Sequence, residues 1–119
     1  MAVGRSTTLR TAGKPALEVV ATPARHGPPL SRPIVGDVIG FALRRPGTNQ
    51  TLLWITGDTV LHRPVRHAAK TMTIDVMLLH TGGVRFPVTG PLRYTMTAHR
   101  ATELIRLAQP RVAVPIHYE

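Results

Sequence analysis

The chain has 119 residues, so we expect a single domain spanning residues 1–119. A hydrophobic content of 43% with a mean hydropathy of +0.03 excludes wholesale disorder, and the lack of any run of about 18 apolar residues excludes a membrane span. The absence of cysteine excludes disulfides and thiolate zinc sites, and it fits a cytoplasmic protein. The net charge of +9 indicates either an anionic partner or an arginine-biased composition.

Glycine and proline divide the first half of the chain into short apolar segments, which predict four strands. These strands are residues 5–11, 16–22, 37–43 and 51–56. Residues 12–15 (Ala-Gly-Lys-Pro) predict a tight hairpin connection. Four prolines within residues 23–33 predict a loop, because proline lacks the amide that a strand needs. The strand order predicts an antiparallel meander.

The second half alternates helices and strands. Residues 59–70 predict a helix that Pro64 makes short or kinked, and the continuous apolar run at residues 74–79 predicts a strand buried on both faces. Residues 81–91 predict a loop. The helical period of residues 98–108 predicts a second helix, which Thr97 can cap and Pro110 ends. Residues 112–116 predict a last strand. The whole pattern predicts an α+β fold with a mixed or antiparallel sheet and helices on one face.

A side chain able to bind a metal follows three of the predicted strands. His26 comes after the second strand, Asp58 after the fourth and His117 after the last. Strand ends that share one sheet edge bring their following loops together, so these side chains can form one site. Two imidazoles and a carboxylate suit zinc, and also manganese or iron.

Each of these three residues also has an ordinary structural interpretation. A histidine after a strand is most often a polar loop residue, and the aspartate of Gly-Asp-Thr is often a turn or helix-capping residue. Composition and spacing alone therefore leave a metal site and a set of loop residues as alternatives.

Three motifs carry a resemblance to a known family. Residues 21–28 (Ala-Thr-Pro-Ala-Arg-His-Gly-Pro) and residues 53–59 (Leu-Trp-Ile-Thr-Gly-Asp-Thr) resemble the third and fourth metal motifs of the metallo-β-lactamase-fold hydrolases. Residues 94–97 (Tyr-Thr-Met-Thr), then Ala101, and then residues 110–118 (Pro-Arg-Val-Ala-Val-Pro-Ile-His-Tyr) resemble the run into the last ligand. The series is similar to the lactonase-like branch, typified by ascorbate-phosphate lactonases.

The resemblance implies a fold, an activity and roles for residues. The fold would be the C-terminal half of a four-layer αββα sandwich. The activity would be metal-dependent hydrolysis of an ester, lactone or phosphoester in a small-molecule substrate. His26, Asp58 and His117 would be metal ligands, with Asp58 bridging two metals. His80, in a loop that lies near the active-site mouth in the family, would act with Asp58 on the substrate.

The sequence departs from the family at its main metal motif. The signature H-x-H-x-D-H occurs nowhere in these residues. Neither metal would then be fully held, because a catalytic zinc generally takes three protein ligands. We therefore expect weak or no activity from the chain alone. We also expect an exposed apolar sheet face, to be covered by a homodimer partner or by a separate N-terminal half.

A second function class is a non-catalytic basic module that contacts nucleic acid or a partner chain. Of the 15 basic residues only Lys14 and Lys70 are lysines, and arginine favours phosphate. However, the basic residues are scattered and not interleaved with aromatic residues, which favours a merely arginine-biased composition over a nucleic-acid site.

Overall fold

Six strands and three helices make up the described part of the protein. The structure, a computed structural model, describes residues 1–83 and 91–117, with all their side chains except those at positions 32 and 34. The predicted loop at 81–91 therefore lies largely outside the described residues. The elements are β1 (Ser6–Leu9), β2 (Leu17–Pro23), α1 (Arg32–Val35), β3 (Ile39–Arg44), β4 (Gln50–Ile55), α2 (Arg63–Thr71), β5 (Thr73–His80), α3 (Ala98–Ala108) and β6 (Val112–Ile116).

The strands form one mixed sheet in the order β1-β2-β3-β4-β5-β6. Strands β1 to β4 are antiparallel neighbours, which confirms the predicted meander. Strands β4, β5 and β6 are parallel, and α2 and α3 provide the two crossovers between them. Since β2 and β4 both run antiparallel to β3, the carboxyl ends of β2, β4, β5 and β6 meet at one edge of the sheet, which we call the site edge.

The helices differ in how well local sequence predicts them. Helix α3 has the predicted bounds, and the Thr97 side chain accepts a hydrogen bond of 3.3 Å from the backbone N–H of Arg100. Helix α2 begins only at Arg63, so Pro64 lies in its first turn and not in its interior. A first-turn amide has no partner within the helix, so the proline breaks no hydrogen bond. Of the two predicted alternatives, the short helix is the one observed. The short helix α1 begins at the end of the predicted proline loop, at Arg32.

One face of the sheet packs against α2 and α3. A cross-strand row of Val20, Ala42, Trp54 and Met77 lies on this face, and all four are buried. They form one cluster with Val65 and Ala69 of α2 and with Ala101, Leu104 and Ala108 of α3. The Trp54 indole N–H donates a 3.0 Å hydrogen bond to Oγ1 of Thr22, which satisfies its one polar atom.

The opposite face is apolar and incompletely covered. Its two cross-strand rows are Val19, Leu43, Leu53, Val76 and Val112, and Ala21, Phe41, Ile55, Leu78 and Val114. None of these ten residues belongs to the buried cluster that joins the sheet to the helices, among the residues described. Apart from Ala21 they are half-buried or exposed, and Val112 retains 45% of its accessible surface. The two layers match one half of the predicted αββα sandwich, and the predicted exposed face, which we call the apolar face, is present.

Within the described ranges, no helix is both long enough and apolar enough to cross a membrane.

Candidate metal centre

The strand order brings three of the four candidate residues to neighbouring positions. Asp58 follows β4, His80 is the last residue of β5, and His117 follows β6. Because β4, β5 and β6 are neighbours and all three run parallel, the strand that ends at His80 lies between the strands that precede Asp58 and His117. His26 follows β2, which is two strands further along the same sheet.

Asp58 and His117 are in direct contact. Nδ1 of His117 lies 2.9 Å from Oδ1 of Asp58, and both side chains are partly exposed. A carboxylate only accepts, so Nδ1 carries the proton, which leaves Nε2 as the nitrogen with a lone pair in the neutral ring. His117 has a φ of 56°, a left-handed conformation that few non-glycine residues adopt. The turn therefore holds the imidazole against the carboxylate at a cost in backbone strain.

Gly57 explains how the chain turns towards Asp58. Its φ is +69°, and a Cβ there would lie 2.7 Å from the carbonyl oxygen of Ile39 on β3. Only glycine allows this left-handed conformation and this close approach. The glycine of the Gly-Asp-Thr motif is thus needed for the position of the carboxylate.

His80 adds a second imidazole beside this pair. Its ring centroid lies 6.0 Å from that of His117, with the two planes at 79°. Its backbone N–H donates to Oγ1 of Thr56 at 3.2 Å, and its Nδ1 is buried with no hydrogen-bond partner among the described residues. Burial lowers the pKa of His80, and His117 acts in the same direction, whereas the Asp58 carboxylate raises it.

His26 is held in a loop that is tied to the segment after Asp58. The backbone N–H of Arg25 donates to Oγ1 of Thr59 at 2.8 Å, and the N–H of Val60 donates to the carbonyl of Arg25 at 2.9 Å. The His26 ring stands edge-on to Tyr94, with the centroids 5.7 Å apart. The imidazole therefore lies on the neighbouring loop at the site edge, packed on an aromatic ring.

The candidate residues have the donor atoms that a metal ion requires, but too few of them converge to complete a metal site. Imidazole nitrogen and carboxylate oxygen are the donors that zinc, manganese and iron accept. Among the described residues, however, no three His, Cys, Asp or Glu side chains converge closely enough to hold an ion. The structure brings Asp58 and His117 together and does not add His26 to their contact. The assignment of the three as ligands stays a prediction.

Thr59 and Tyr94 lie in the motifs that carry the family resemblance, but the sequence did not predict that they position the site. Thr59 is fully buried and accepts from Arg25, so it joins the loops of His26 and Asp58. Tyr94, also buried, accepts a hydrogen bond on its carbonyl oxygen from the N–H of Gly27 at 3.1 Å. A Cβ on Gly27 would lie 2.5 Å from the Tyr94 ring. The signal available in the sequence was the place of Thr59 and Tyr94 in those motifs.

The other histidines and Asp75 are not among the described contacts of Asp58 or His117. His67 and His99 are exposed. His62 is half-buried, and its Nδ1 donates to the carbonyl of Val60 at 3.0 Å. Burial lowers the pKa of His62. Asp75 accepts from Nε2 of Gln50 at 3.0 Å, which supplies the partner that a carboxylate in an apolar strand requires.

Comparison with known proteins identifies the family of the chain. The family model described as "Beta-lactamase superfamily domain" matches residues 1–118. A "UPF0173 metal-dependent hydrolase" of Carboxydothermus hydrogenoformans is 31% identical over 103 residues, which cover 84% of this chain and 40% of the relative. One from Pyrobaculum arsenaticum is 32% identical over 102 residues, which cover 86% of this chain and 38% of the relative. The chain thus spans about two fifths of the length of these relatives.

Two solved structures share the fold. Igni18, a metallo hydrolase from Ignicoccus hospitalis, superposes on the whole of this chain with a TM-score of 0.72 at 26% identity, over 44% of its own length. An isothiocyanate hydrolase from Delia radicum gut bacteria matches 93% of this chain with a TM-score of 0.73, and the match covers 42% of that hydrolase. Its sequence identity is 18%, so this similarity shows the fold alone. The chain belongs to the β-lactamase superfamily, and its family relatives are metal-dependent hydrolases of the metallo-β-lactamase fold.

Proposed function

We propose that this chain contributes part of the metal centre and part of the substrate site of a metal-dependent hydrolase. The observation that carries the proposal is the contact between His117 and Asp58 at the site edge. A carboxylate and an imidazole brought together from separate strand ends, on a left-handed turn, are an arrangement that folding stability alone does not require.

The metal would be bound by Asp58 and His117, with His26 reached from the neighbouring loop. Zinc is the ion that this donor set favours, and manganese or iron are the alternatives. A bound metal would lower the pKa of a water molecule towards neutrality and polarise an ester carbonyl or a phosphoryl oxygen. The proposed substrate class is therefore a small ester, lactone or phosphoester.

His80 is the second residue that we propose to act on the substrate, together with Asp58. Its Nδ1 is buried and unpartnered among the described residues, and its backbone is fixed by Thr56. A buried polar atom without a partner is costly, so such an atom beside a reactive site is a candidate to bond the substrate. In this role His80 would orient the substrate and would not hold the metal.

The remaining ligands would come from additional polypeptide packed on the apolar face. Two facts support this partner. The relatives are more than twice as long as this chain, and the ten residues of the apolar face are only half-buried or exposed, apart from Ala21. Two sheets that pack face to face bury apolar rows of this kind. A second copy of this chain is the alternative occupant, and would repeat the same incomplete ligand set.

The experiment is reconstitution. The part of the Carboxydothermus relative that this chain does not match would be expressed separately and mixed with this chain and zinc. We expect hydrolysis of a chromogenic ester, lactone or phosphodiester only in the mixture. Asp58→Asn should lower both bound zinc and hydrolysis, whereas His80→Ala should lower hydrolysis at unchanged zinc content.

The matched control is Asp75→Asn, which removes a carboxylate at the far end of β5 and should change neither quantity. A complex that forms and binds zinc but hydrolyses none of the three substrate classes would contradict the hydrolase proposal. A failure of the two polypeptides to associate, with homodimers of this chain formed instead, would contradict the proposed partner.

We further propose that the protein works in the cytoplasm, where thiols are reduced, since the chain contains no cysteine. Immunoblotting of cell fractions tests this, and recovery in a secreted or membrane fraction would overturn it.

A further inference from the structure

The outward surfaces of α2 and α3 are strongly basic. On α2, Arg63, Arg66 and Lys70 recur at spacings of three and four residues, so they share one side of the helix. On α3, Arg100 and Arg106 are exposed. Together these five residues form what we call the basic helix surface.

The only carboxylate in the two helices is already engaged. Oε1 of Glu103 accepts hydrogen bonds from Nε and Nη2 of Arg66 at 3.1 and 2.8 Å, and Oε2 accepts from Nη1 of Arg100 at 2.8 Å. Arg66 lies on α2 and the other two on α3, so this bridge joins the two helices into one surface. The basic helix surface therefore carries five cations and one carboxylate. Arg63, Lys70 and Arg106 have no described acidic partner.

The composition of the surface indicates the class of ligand. The charges are spread along two helices and do not converge on one point, which suits an extended polyanion. The helices contain no Phe, Tyr or Trp that could provide a stacking platform for bases. They expose no large apolar side chain that could insert into a lipid interface. These features favour contact with a duplex phosphate backbone.

We propose that the basic helix surface binds the phosphodiester backbone of double-stranded nucleic acid without sequence preference. The helices cover one face of the sheet and the apolar face is the other, so polypeptide packed on the apolar face leaves this surface free. The binding is independent of the proposed hydrolase function, because none of the five residues is among the described contacts of Asp58, His80 or His117.

The test is fluorescence anisotropy with a labelled duplex of about 20 base pairs, two helical turns, and the full chain without metal. Between about 50 and 200 mM salt, binding that uses four or five phosphate contacts should weaken with a log–log slope of about −4. A slope near zero would overturn the proposal without reference to any variant.

Charge reversal identifies the surface. Arg63→Glu, Lys70→Glu and Arg106→Glu together should weaken binding at least about tenfold at 100 mM salt, where the screening length is about 10 Å. The matched control reverses three exposed charges elsewhere, Arg10→Glu, Lys14→Glu and Arg45→Glu, and should weaken binding less than about threefold, since those charges lie outside the contact. Circular dichroism verifies that both triple variants are folded.

Equal losses in the two triple variants would show attraction by net charge alone and would overturn the assignment to the helices. Vesicles that contain phosphatidylserine provide the membrane comparison. Binding to vesicles that is as tight as binding to the duplex and equally sensitive to the helix triple variant would also overturn it.

Discussion

Nδ1 of His117 lies 2.9 Å from Oδ1 of Asp58, although 59 residues separate the two in the sequence. The contact depends on two parallel crossovers, because β4 and β6 flank β5 and end at the same edge of the sheet. It forms within this chain, without the additional polypeptide that the proposed function requires. Measurements on the isolated chain can therefore test the contact itself and the need for additional polypeptide.

Metal binding by the isolated chain should be weak and without fixed stoichiometry. Only two candidate ligands are in mutual contact, and an incomplete shell binds zinc poorly. Calorimetric titration with zinc measures this, and Asp58→Asn should remove most of the affinity that remains, whereas Asp75→Asn should not. Tight binding of two zinc ions per chain would show that further ligands exist.

Self-association should increase with salt, because the apolar face is incompletely covered and the net charge of +9 repels copies less when screened. Light scattering at low and high salt measures it. Val114→Lys, on the apolar face and 38% exposed, should reduce association. Val3→Lys, 53% exposed and off that face, is the control and should not. A monomer that melts cooperatively in both salts would contradict this prediction.

Gly27→Ala should destabilise the loop that carries His26. The substitution adds left-handed strain at φ +93° and a Cβ only 2.5 Å from the Tyr94 ring. Gly47→Ala is the matched control, because Gly47 has a φ of +74° with nothing within 4 Å of a Cβ. We expect Gly27→Ala to lower the free energy of unfolding by about 1 to 3 kcal/mol more than the control, from thermal melts. Equal effects would show that the Tyr94 contact is unimportant.

The Glu103 bridge should make stability depend on pH in the acid range. Hydrogen bonds from Arg66, and then from Arg100, lower the pKa of the Glu103 carboxyl in the folded protein. A carboxyl with a lowered folded pKa stabilises the fold above its ordinary pKa of 4.5, and this stability is lost as pH falls through the folded value. Melting temperatures of the protein and of Glu103→Gln should therefore differ at neutral pH and converge in acid. A constant difference at all pH values would contradict the bridge.

Much of the architecture could be predicted from local patterns in the sequence. Helix α3 begins after Thr97 and ends before Pro110 as expected, since capping and proline chemistry act within about one helical turn. The start of α2 was not predicted, because Pro64 is compatible with either a helix interior that kinks or a first turn. Only packing of Val65 and Ala69 against the sheet selects the second.

The sequence by itself determined which residue types follow each strand, and hence that His26, Asp58, His80 and His117 stand at strand ends. Only the tertiary structure decided that Asp58 contacts His117, that His80 lies beside this pair with a buried Nδ1, and that His26 packs on Tyr94 instead. The physical reason is that strand identity follows from neighbouring side chains, whereas strand order, direction and register follow from packing across the whole sheet.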